Sequence, residues 1–325
     1  LVYHLTSPFP HPVSPSQKSD EKNPPLFATR HDRMLRITSA FSGEIIAELP
    51  TAVQRLTSAV EVKQAVAAAC GVPRFRQRLF LEDGSELEGE NLSFLKPQTL
   101  ELVILNFGLP DEEEDKELIE ACRNEYETEV ERLLLLPRNP NVRDQSWLLP
   151  NGLTPLHFAS QMGNLHLVGL LLEAGADPDA VAHGATALFV AAANDKLEVA
   201  RLLIHAGANP DLPGTDTGVT PLFIAAGNGH VRIVKLLLDA TVNVNHATFT
   251  DGTTPNYAST ALSLATYKDN VEIIQLLLEA RADVHDSGSE CGLSPLTIAV
   301  QNFRAEAEDQ ELRDEVARLL FETLQ

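Results

Sequence analysis

A short motif recurs along the C-terminal half of this 325-residue chain: a hydroxyl residue, then Pro or Ala, then Leu. It occurs at Thr154–Leu156, Thr186–Leu188, Thr220–Leu222, Thr260–Leu262 and Ser294–Leu296, with intervals of 32 to 40 residues. Because one unit of this length cannot bury its own apolar face, the period predicts a solenoid of stacked repeats that share a core. Function is then expected on a surface that several repeats build together.

Each repeat carries the signals of two short helices, as the copy at residues 152–177 shows. Thr154 suits a helix N-cap, and Pro155 suits the first helical position, where its missing N–H is not needed. Gly163 stands where a left-handed residue would end the first helix, and later copies fill that position with Asp195, Gly229 and Asp269. A second apolar stripe that includes Leu171 predicts the second helix.

These features resemble ankyrin repeats over residues 118–325, with about six repeats, of which the first and last are degenerate caps. The resemblance implies an all-α solenoid with short β-hairpin loops that binds a protein partner on its concave face and hairpin loops. It also gives His157, in a Thr-Pro-Leu-His motif, a structural role in support of the turn.

Residues 34–107 follow a different pattern, with strands on either side of one helix. Two β-branched segments around a Ser42–Gly43 turn predict a hairpin. Thr57–Cys70 predicts an amphipathic helix that has Thr57 and Ser58 as candidate caps and stops at Gly71. Gln77–Leu81 and Thr99–Leu105 predict two further strands, which gives the order ββαββ.

This segment resembles ubiquitin and the ubiquitin-like β-grasp domains, most specifically at residues 71–73, 77–80 and 99–103. The resemblance places Phe41, Phe80 and Val103 at the apolar patch through which ubiquitin is recognised. It implies ubiquitin-system or proteasomal receptors as partners. An alternative is a folded spacer whose patch is unused or docked on the repeats, since single exposed apolar residues are ordinary.

Two departures from ubiquitin bear on this expectation. Glu101 stands beside the patch where ubiquitin has a His. The last strand continues into Asn106–Leu109 without a terminal Gly-Gly, so we do not expect conjugation through it.

The expected fold class is multi-domain, an α+β ubiquitin-like β-grasp domain at residues 34–107 followed by the ankyrin-repeat solenoid at residues 118–325. Residues 1–33 contain six prolines among polar residues, which predicts a disordered tail, either native or lying upstream of a start at Met34. Residues 108–117 are rich in acids and are interpreted as a linker that leads into a helix.

Charge and composition narrow the classes of partner and site. The net charge is −21, and residues 106–325 hold 34 acidic against 14 basic side chains, which disfavours binding of nucleic acid. No apolar run is long enough to span a bilayer, so membrane insertion is not expected. Three scattered cysteines fit a reducing compartment, and we expect the cytoplasm, with the nucleus as an alternative. No metal, nucleotide or nucleophile motif occurs, so we expect no cofactor, metal or catalytic residue.

Candidate partner-binding residues come from motif position and from irregularities in the repeat. By position, the exposed residues are Gln161, Met162, Ala193, Asn194, Asn228, Tyr267, Lys268, Gln301 and Asn302. Three insertions, at residues 137–151, 246–258 and 305–314, map to loops, and the first two carry Trp147, Phe249 and Tyr257, residue types that anchor interfaces. Alternatively, Trp147 packs in the core, and the other two aromatics only hold a long loop.

The hypothesis that follows is a monomeric, non-enzymatic adaptor, with one protein partner on the repeats and a second docking face on the ubiquitin-like domain. The alternative is a regulatory subunit or fragment of a larger ankyrin-containing enzyme or channel.

Overall fold

The computed structural model describes residues 35–39, 44–49, 58–81, 85–87, 99–105, 112–136, 138–144, 152–214, 218–248, 260–287, 293–304 and 310–323. The predicted tail at residues 1–33 lies outside these ranges. Two units follow one another along the chain, a small sheet with one helix and a stack of helix pairs.

The first unit is a mixed sheet covered by a helix. Its strands are β1 (Leu35–Ser39), β2 (Ile45–Leu49), β3 (Gln77–Phe80) and β4 (Thr99–Ile104), and its helix is α1 (Ala59–Cys70). The strand order is β2-β1-β4-β3, with β1 and β4 parallel in the centre and antiparallel pairs on both sides. The predicted order ββαββ is therefore present in the described residues, and we call this part the sheet unit.

Helix α1 begins and ends where the sequence predicts. Ser58 is the N-cap and forms a capping box with Glu61, and Gly71 ends the helix in the left-handed conformation with φ 70°. Val62 and Val66 are buried in one cluster with residues from β1, β3 and β4. The helix thus covers the inner face of the sheet.

The second unit is an array of six helix pairs within the described residues. Its helices are α2 (Glu112–Arg123), α3 (Glu127–Leu134), α4 (Pro155–Met162), α5 (Leu165–Glu173), α6 (Ala187–Ala193), α7 (Leu197–His205), α8 (Pro221–Asn228), α9 (Val231–Asp239), α10 (Ala261–Tyr267), α11 (Val271–Glu279), α12 (Pro295–Arg304) and α13 (Gln310–Glu322). Even-numbered first helices pack on one another in one layer, and odd-numbered second helices pack in another. One continuous apolar cluster runs between the layers.

The predicted helix terminators are confirmed. Gly163 and Gly229 have φ of 83° and 77°, and Asp195 and Asp269 adopt φ of 53° at the same place in their repeats. A positive φ suits Gly, and Asp is among the residues that tolerate it best.

Two predicted boundaries differ from the structure. Helix α2 begins at Glu112, inside the predicted linker at residues 108–117, and α13 begins at Gln310, inside the predicted insertion at residues 305–314. Acidic residues are favoured in the first turn of a helix by its dipole, so a run of acids marks a helix start as well as a linker. Part of the predicted acidic insertion at residues 305–314 therefore belongs to α13.

The hairpin loops between repeats are joined to one another by side-chain bonds. Backbone N–H groups donate to carboxylate or amide oxygens of the preceding loop: Asp177 to Asn141 (2.7 Å), Asn209 to Asp179 (2.8 Å), Asn243 to Asp211 (2.9 Å) and Asp283 to Asn245 (2.9 Å). This series fixes the spacing of successive repeats, because each bond crosses from one repeat to the next.

Candidate functional site

The ends of the first helices form a row across the array. Gln161 and Met162 end α4, Asn228 ends α8, Tyr267 ends α10, and Ala193, Asn194, Lys268, Gln301 and Asn302 occupy the matching places in their repeats. Because the first helices stack directly on one another, these positions come together along one edge of the layer. We call this set the first-helix row.

Part of the row is exposed and chemically suited to contact a protein. Met162 is 46% exposed and Tyr267 is 56% exposed, and both are large side chains. The Lys268 ammonium lies 5.9 Å from the centre of the Tyr267 ring, and Gln161 and Gln301 are exposed as well. Aromatic and Met side chains are enriched in interface cores, so this part of the row offers anchor groups.

Three asparagines of the row instead support the array itself. The Asn194 amide donates to Val190 O at 2.8 Å, and the Asn228 amide donates to Ala193 O at 3.0 Å. The half-buried Asn302 amide lies 3.4 Å from Thr266 O and 3.3 Å from Asp269 Oδ1. The Asn228 and Asn302 amides reach oxygen atoms of the preceding repeat, whereas the Asn194 amide bonds within its own helix.

Trp147, Phe249 and Tyr257 lie outside the described residues, as do Phe41 and residues 305–309. Their part in a binding surface stays a prediction.

The sheet unit has an outer face opposite α1. Leu79 and Leu102 are buried on the inner face, so alternation places Phe80 and Val103 on the outer face, where both are half-buried. In the β3–β4 register Phe80 pairs with Glu101 and Arg78 pairs with Val103. Phe80 and Val103 are therefore diagonal neighbours, bordered by one acid and one base.

His157 supports the turn between α4 and the next loop, as predicted. Its hydrogen bond to Thr154 makes this helix start differ from those of other repeats. Its Nε2 lies 2.9 Å from Ala185 O in the next loop, and its Nδ1 lies 2.7 Å from Thr154 Oγ1. A carbonyl only accepts, so Nε2 carries the hydrogen and the Thr154 hydroxyl donates to Nδ1. Thr154 is the N-cap of α4, yet its hydroxyl makes no cap bond, whereas Thr186 and Thr220 cap backbone N–H groups.

Burial disfavours the protonated form of this imidazole. His157 is 1% exposed, and desolvation lowers its pKa below the ordinary value, against the opposing effect of the bond to Ala185. Nearby Arg143 and His183 lower it slightly further. Both ring nitrogens are occupied by protein partners, so the geometry offers neither a general base nor a metal ligand.

The described residues also include a buried cysteine, Cys122. Burial raises the pKa of the Cys122 thiol to about 12, which removes its nucleophilic form at neutral pH. Among the described residues, no three His, Cys, Asp or Glu side chains are placed to hold a metal ion.

A family model described as ankyrin repeats, in three copies, matches residues 118–214 and again residues 212–287. The two matches together span more than half of the chain, and they extend from the middle of α2 past the end of α11. The chain belongs to the ankyrin-repeat family. Its ankyrin array is accordingly a protein-interaction module, and its partners are proteins. No curated protein matches the chain.

In the part of the chain that the structure describes, none of the ankyrin or sheet-unit helices has the length and apolarity to cross a membrane.

Sequence reasoning missed one set of contacting residues. Arg74 of the sheet unit forms ion pairs with Glu131 and Glu173 of the ankyrin array. The neighbouring Pro73 lies against Gly175, and Phe75 belongs to the buried cluster of the array. The sequence gives little indication of this contact, since Arg74 and Glu173 are 99 residues apart and neither belongs to a motif.

Proposed function

We propose that this ankyrin-repeat protein is a non-enzymatic adaptor that holds a protein partner on the first-helix row and the adjoining hairpin loops. The observation that supports it most is the exposure of Met162 and Tyr267 on repeats that share one rigid core. Met and aromatic side chains are enriched in the cores of protein interfaces, so these two groups in one helix layer favour a binding role.

The first-helix row also favours a partner whose surface carries both apolar and polar groups. Gln161, Lys268 and Gln301 are exposed beside the apolar groups, and none of them is acidic. The array as a whole is strongly acidic, which favours a protein over a nucleic acid as the occupant. We expect the complex to form in the cytoplasm or the nucleus.

The first-helix row is tested by affinity capture from cell extract with the double variant Met162→Ala/Tyr267→Ala. We expect specific proteins that bind the wild-type chain to be reduced by at least about tenfold, since loss of two interface anchors costs about 1.4 kcal/mol or more. Quantitative mass spectrometry of the captured proteins measures the ratio.

The matched control replaces two exposed residues of the second-helix layer, Lys235→Ala and Glu272→Ala, which lie on α9 and α11. It should retain the partners that the row variant loses. Equal retention by both variants, with circular dichroism unchanged, would exclude the row as the docking surface. A third variant, Trp147→Ala/Phe249→Ala/Tyr257→Ala, tests by the same affinity capture whether the insertion loops contribute to binding.

The sheet unit is proposed as a ubiquitin-like domain with a second docking face for ubiquitin-system or proteasomal receptors. The strand order β2-β1-β4-β3, the central parallel pair and the single covering helix support the β-grasp resemblance. Phe80 and Val103 on one outer face support the location of the patch. Glu101 beside Phe80 makes this face more acidic than that of ubiquitin, and selectivity among receptors should differ accordingly.

NMR titration of the ¹⁵N-labelled full-length chain with ubiquitin-binding domains tests this second face. We expect shifts of the Phe80 and Val103 amides that are lost in Phe80→Ala, because an apolar patch without its central side chain loses most of its contact area. Val60→Ala, an exposed apolar truncation on α1, serves as the control and should leave the shifts intact. Absence of shifts at about millimolar concentration, where even weak contacts are populated, would contradict the proposal.

A further inference from the structure

The sheet unit and the ankyrin array meet at a contact centred on Arg74. This residue lies in a 3-10 turn, Arg74–Arg76, between α1 and β3, and its side chain is only 8% exposed. Its Nε donates to Glu173 Oε2 at the end of α5, and an Nη2 nitrogen lies 3.7 Å from Glu131 Oε1 on α3. A buried guanidinium stays charged and requires partners, and both acids that face it belong to the array.

Apolar packing at the same contact joins the two cores. Phe75 is 6% exposed, and it belongs to the buried cluster of the ankyrin array, not to the cluster of the sheet unit. The Arg74 guanidinium lies 4.0 Å from the centre of the Phe75 ring. A sheet unit without the array would expose both side chains, so the surface around Arg74 and Phe75 is buried only when the array is present.

Gly175 leaves the space that the contact with Pro73 occupies. It follows α5 with φ 89°, and a Cβ atom there would lie 2.9 Å from Pro73 Cγ. The equivalent positions of later repeats, Gly207, Thr241 and Arg281, also have positive φ, so side chains are tolerated in that backbone conformation. Gly207 has open space around its Cβ position. Of these two glycines, only Gly175 lies so close to the sheet unit that a side chain would clash with it.

The contact lies on the second-helix side of the array and on the α1 side of the sheet unit. Gln64 of α1 adds a bond to Glu173 Oε1 at 3.1 Å, and an open groove beside it is lined by Gln64, His166 and Leu170 among others. The first-helix row lies in the other helix layer, and Phe80 and Val103 lie on the opposite face of the sheet. The contact therefore covers neither candidate binding surface.

We propose that Pro73–Phe75 lock the sheet unit onto α3 and α5, so that the two units form one rigid body. The sheet unit then acts as an N-terminal cap for the second-helix layer, and the outer sheet face and the first-helix row point in fixed directions. A partner that contacts both surfaces must match their separation. This inference holds whether or not either surface binds as proposed above.

The test is the ¹⁵N relaxation of the full-length chain, which reports the rotational correlation time of each unit separately. In the wild-type chain we expect α1 and β1–β4 to share the correlation time of the array. Arg74→Glu places a third acid beside Glu131 and Glu173, and the shared correlation time should be lost. Arg78→Glu, an equal charge reversal on the outer face of the same sheet, should preserve it.

A charge swap separates this role from simple misfolding. Glu173→Arg alone should release the sheet unit, and Arg74→Glu/Glu173→Arg should restore the shared correlation time. Different correlation times in the wild-type chain, an unchanged value in Arg74→Glu, or no rescue by the swap would each overturn the proposal. Arg74→Glu alone could lose helical circular dichroism through misfolding. The double variant still tests the contact in that case, because the shared correlation time recovers only if residues 74 and 173 face each other.

A second pair of variants locates the contact. Gly175→Ala and Gly207→Ala introduce the same methyl group at similar φ, but only the first would meet Pro73. The amide signals of Val72 and Arg74 should shift in Gly175→Ala and stay in place in Gly207→Ala. Unmoved signals in Gly175→Ala would overturn the placement of Pro73.

Discussion

Truncation of Leu203 to Ala is expected to lower the free energy of unfolding by about 2 to 5 kcal/mol, the cost of removing a fully buried Leu and leaving a cavity. Leu203 lies in α7, is 0% exposed, and belongs to the cluster that joins neighbouring repeats. Helix α7 packs against both α5 and α9, so the cavity weakens two repeat interfaces. Urea denaturation followed by far-UV circular dichroism measures the change.

The control is Leu135→Ala, the same truncation at a residue that is 60% exposed just after α3. Its effect should stay within about 0.5 kcal/mol, as for ordinary surface substitutions. A similar loss in both variants would contradict the shared core as the source of stability. Such a loss at Leu203 is large for a domain, since folded proteins are stable by about 5 to 15 kcal/mol in total.

Replacement of His157 by Ala is expected to cost about 1 to 3 kcal/mol, the penalty for a buried polar group left without its partner. Ala185 O loses the imidazole donor, and a cavity remains between α4 and the next loop. Thr154 is able to recover part of the loss, because its hydroxyl becomes available to cap α4 as Thr186 and Thr220 cap their helices. His205→Ala, on an exposed residue at the end of α7, should change stability by less than about 0.5 kcal/mol.

The same histidine makes stability depend on pH. Its pKa in the folded state is below the unfolded value of about 6.5, so the unfolded chain binds a proton that the folded chain resists. Its contribution is fully present above about pH 6.5 and is lost as the pH falls towards the folded pKa. His157→Gln does not titrate, so between about pH 7.5 and 5.5 its free energy of unfolding should fall less than that of the wild-type chain. Parallel curves would contradict a neutral buried imidazole.

Residues with local roles were predictable from the sequence. Ser58 and Gly71 bound α1 as expected, and Gly163, Asp195, Gly229 and Asp269 end their helices with positive φ. Caps and terminators depend on bonds within three or four residues, so the chain encodes them where they stand. The acidic residues from position 111 onward do not distinguish a linker from the start of a helix, because both favour the same composition.

The candidate surface was predicted as a set of positions, and the structure divides that set. Motif position placed Met162, Asn194, Asn228, Tyr267 and Asn302 together, but it did not distinguish a side chain open to a partner from one that bonds a neighbouring carbonyl. The Asn228 amide reaches Ala193, 35 residues earlier, and such a bond exists only after the repeats stack. Met162 and Tyr267 remain the exposed anchors of the row.

The sequence by itself determined the repeat period, the two helices of each repeat and their ends, because apolar spacing and caps act over short stretches of chain. The tertiary structure decided which polar residues stay exposed, how Thr154 and His157 share a hydrogen bond, and that Arg74 meets Glu173. The Arg74–Glu173 pair joins residues that no periodicity relates, and Thr154 and His157, three residues apart, bond through side chains that folding buries. They depend on the distance and burial that folding creates, and the charge of a lone Arg in the sequence does not reveal which acid will neutralise it.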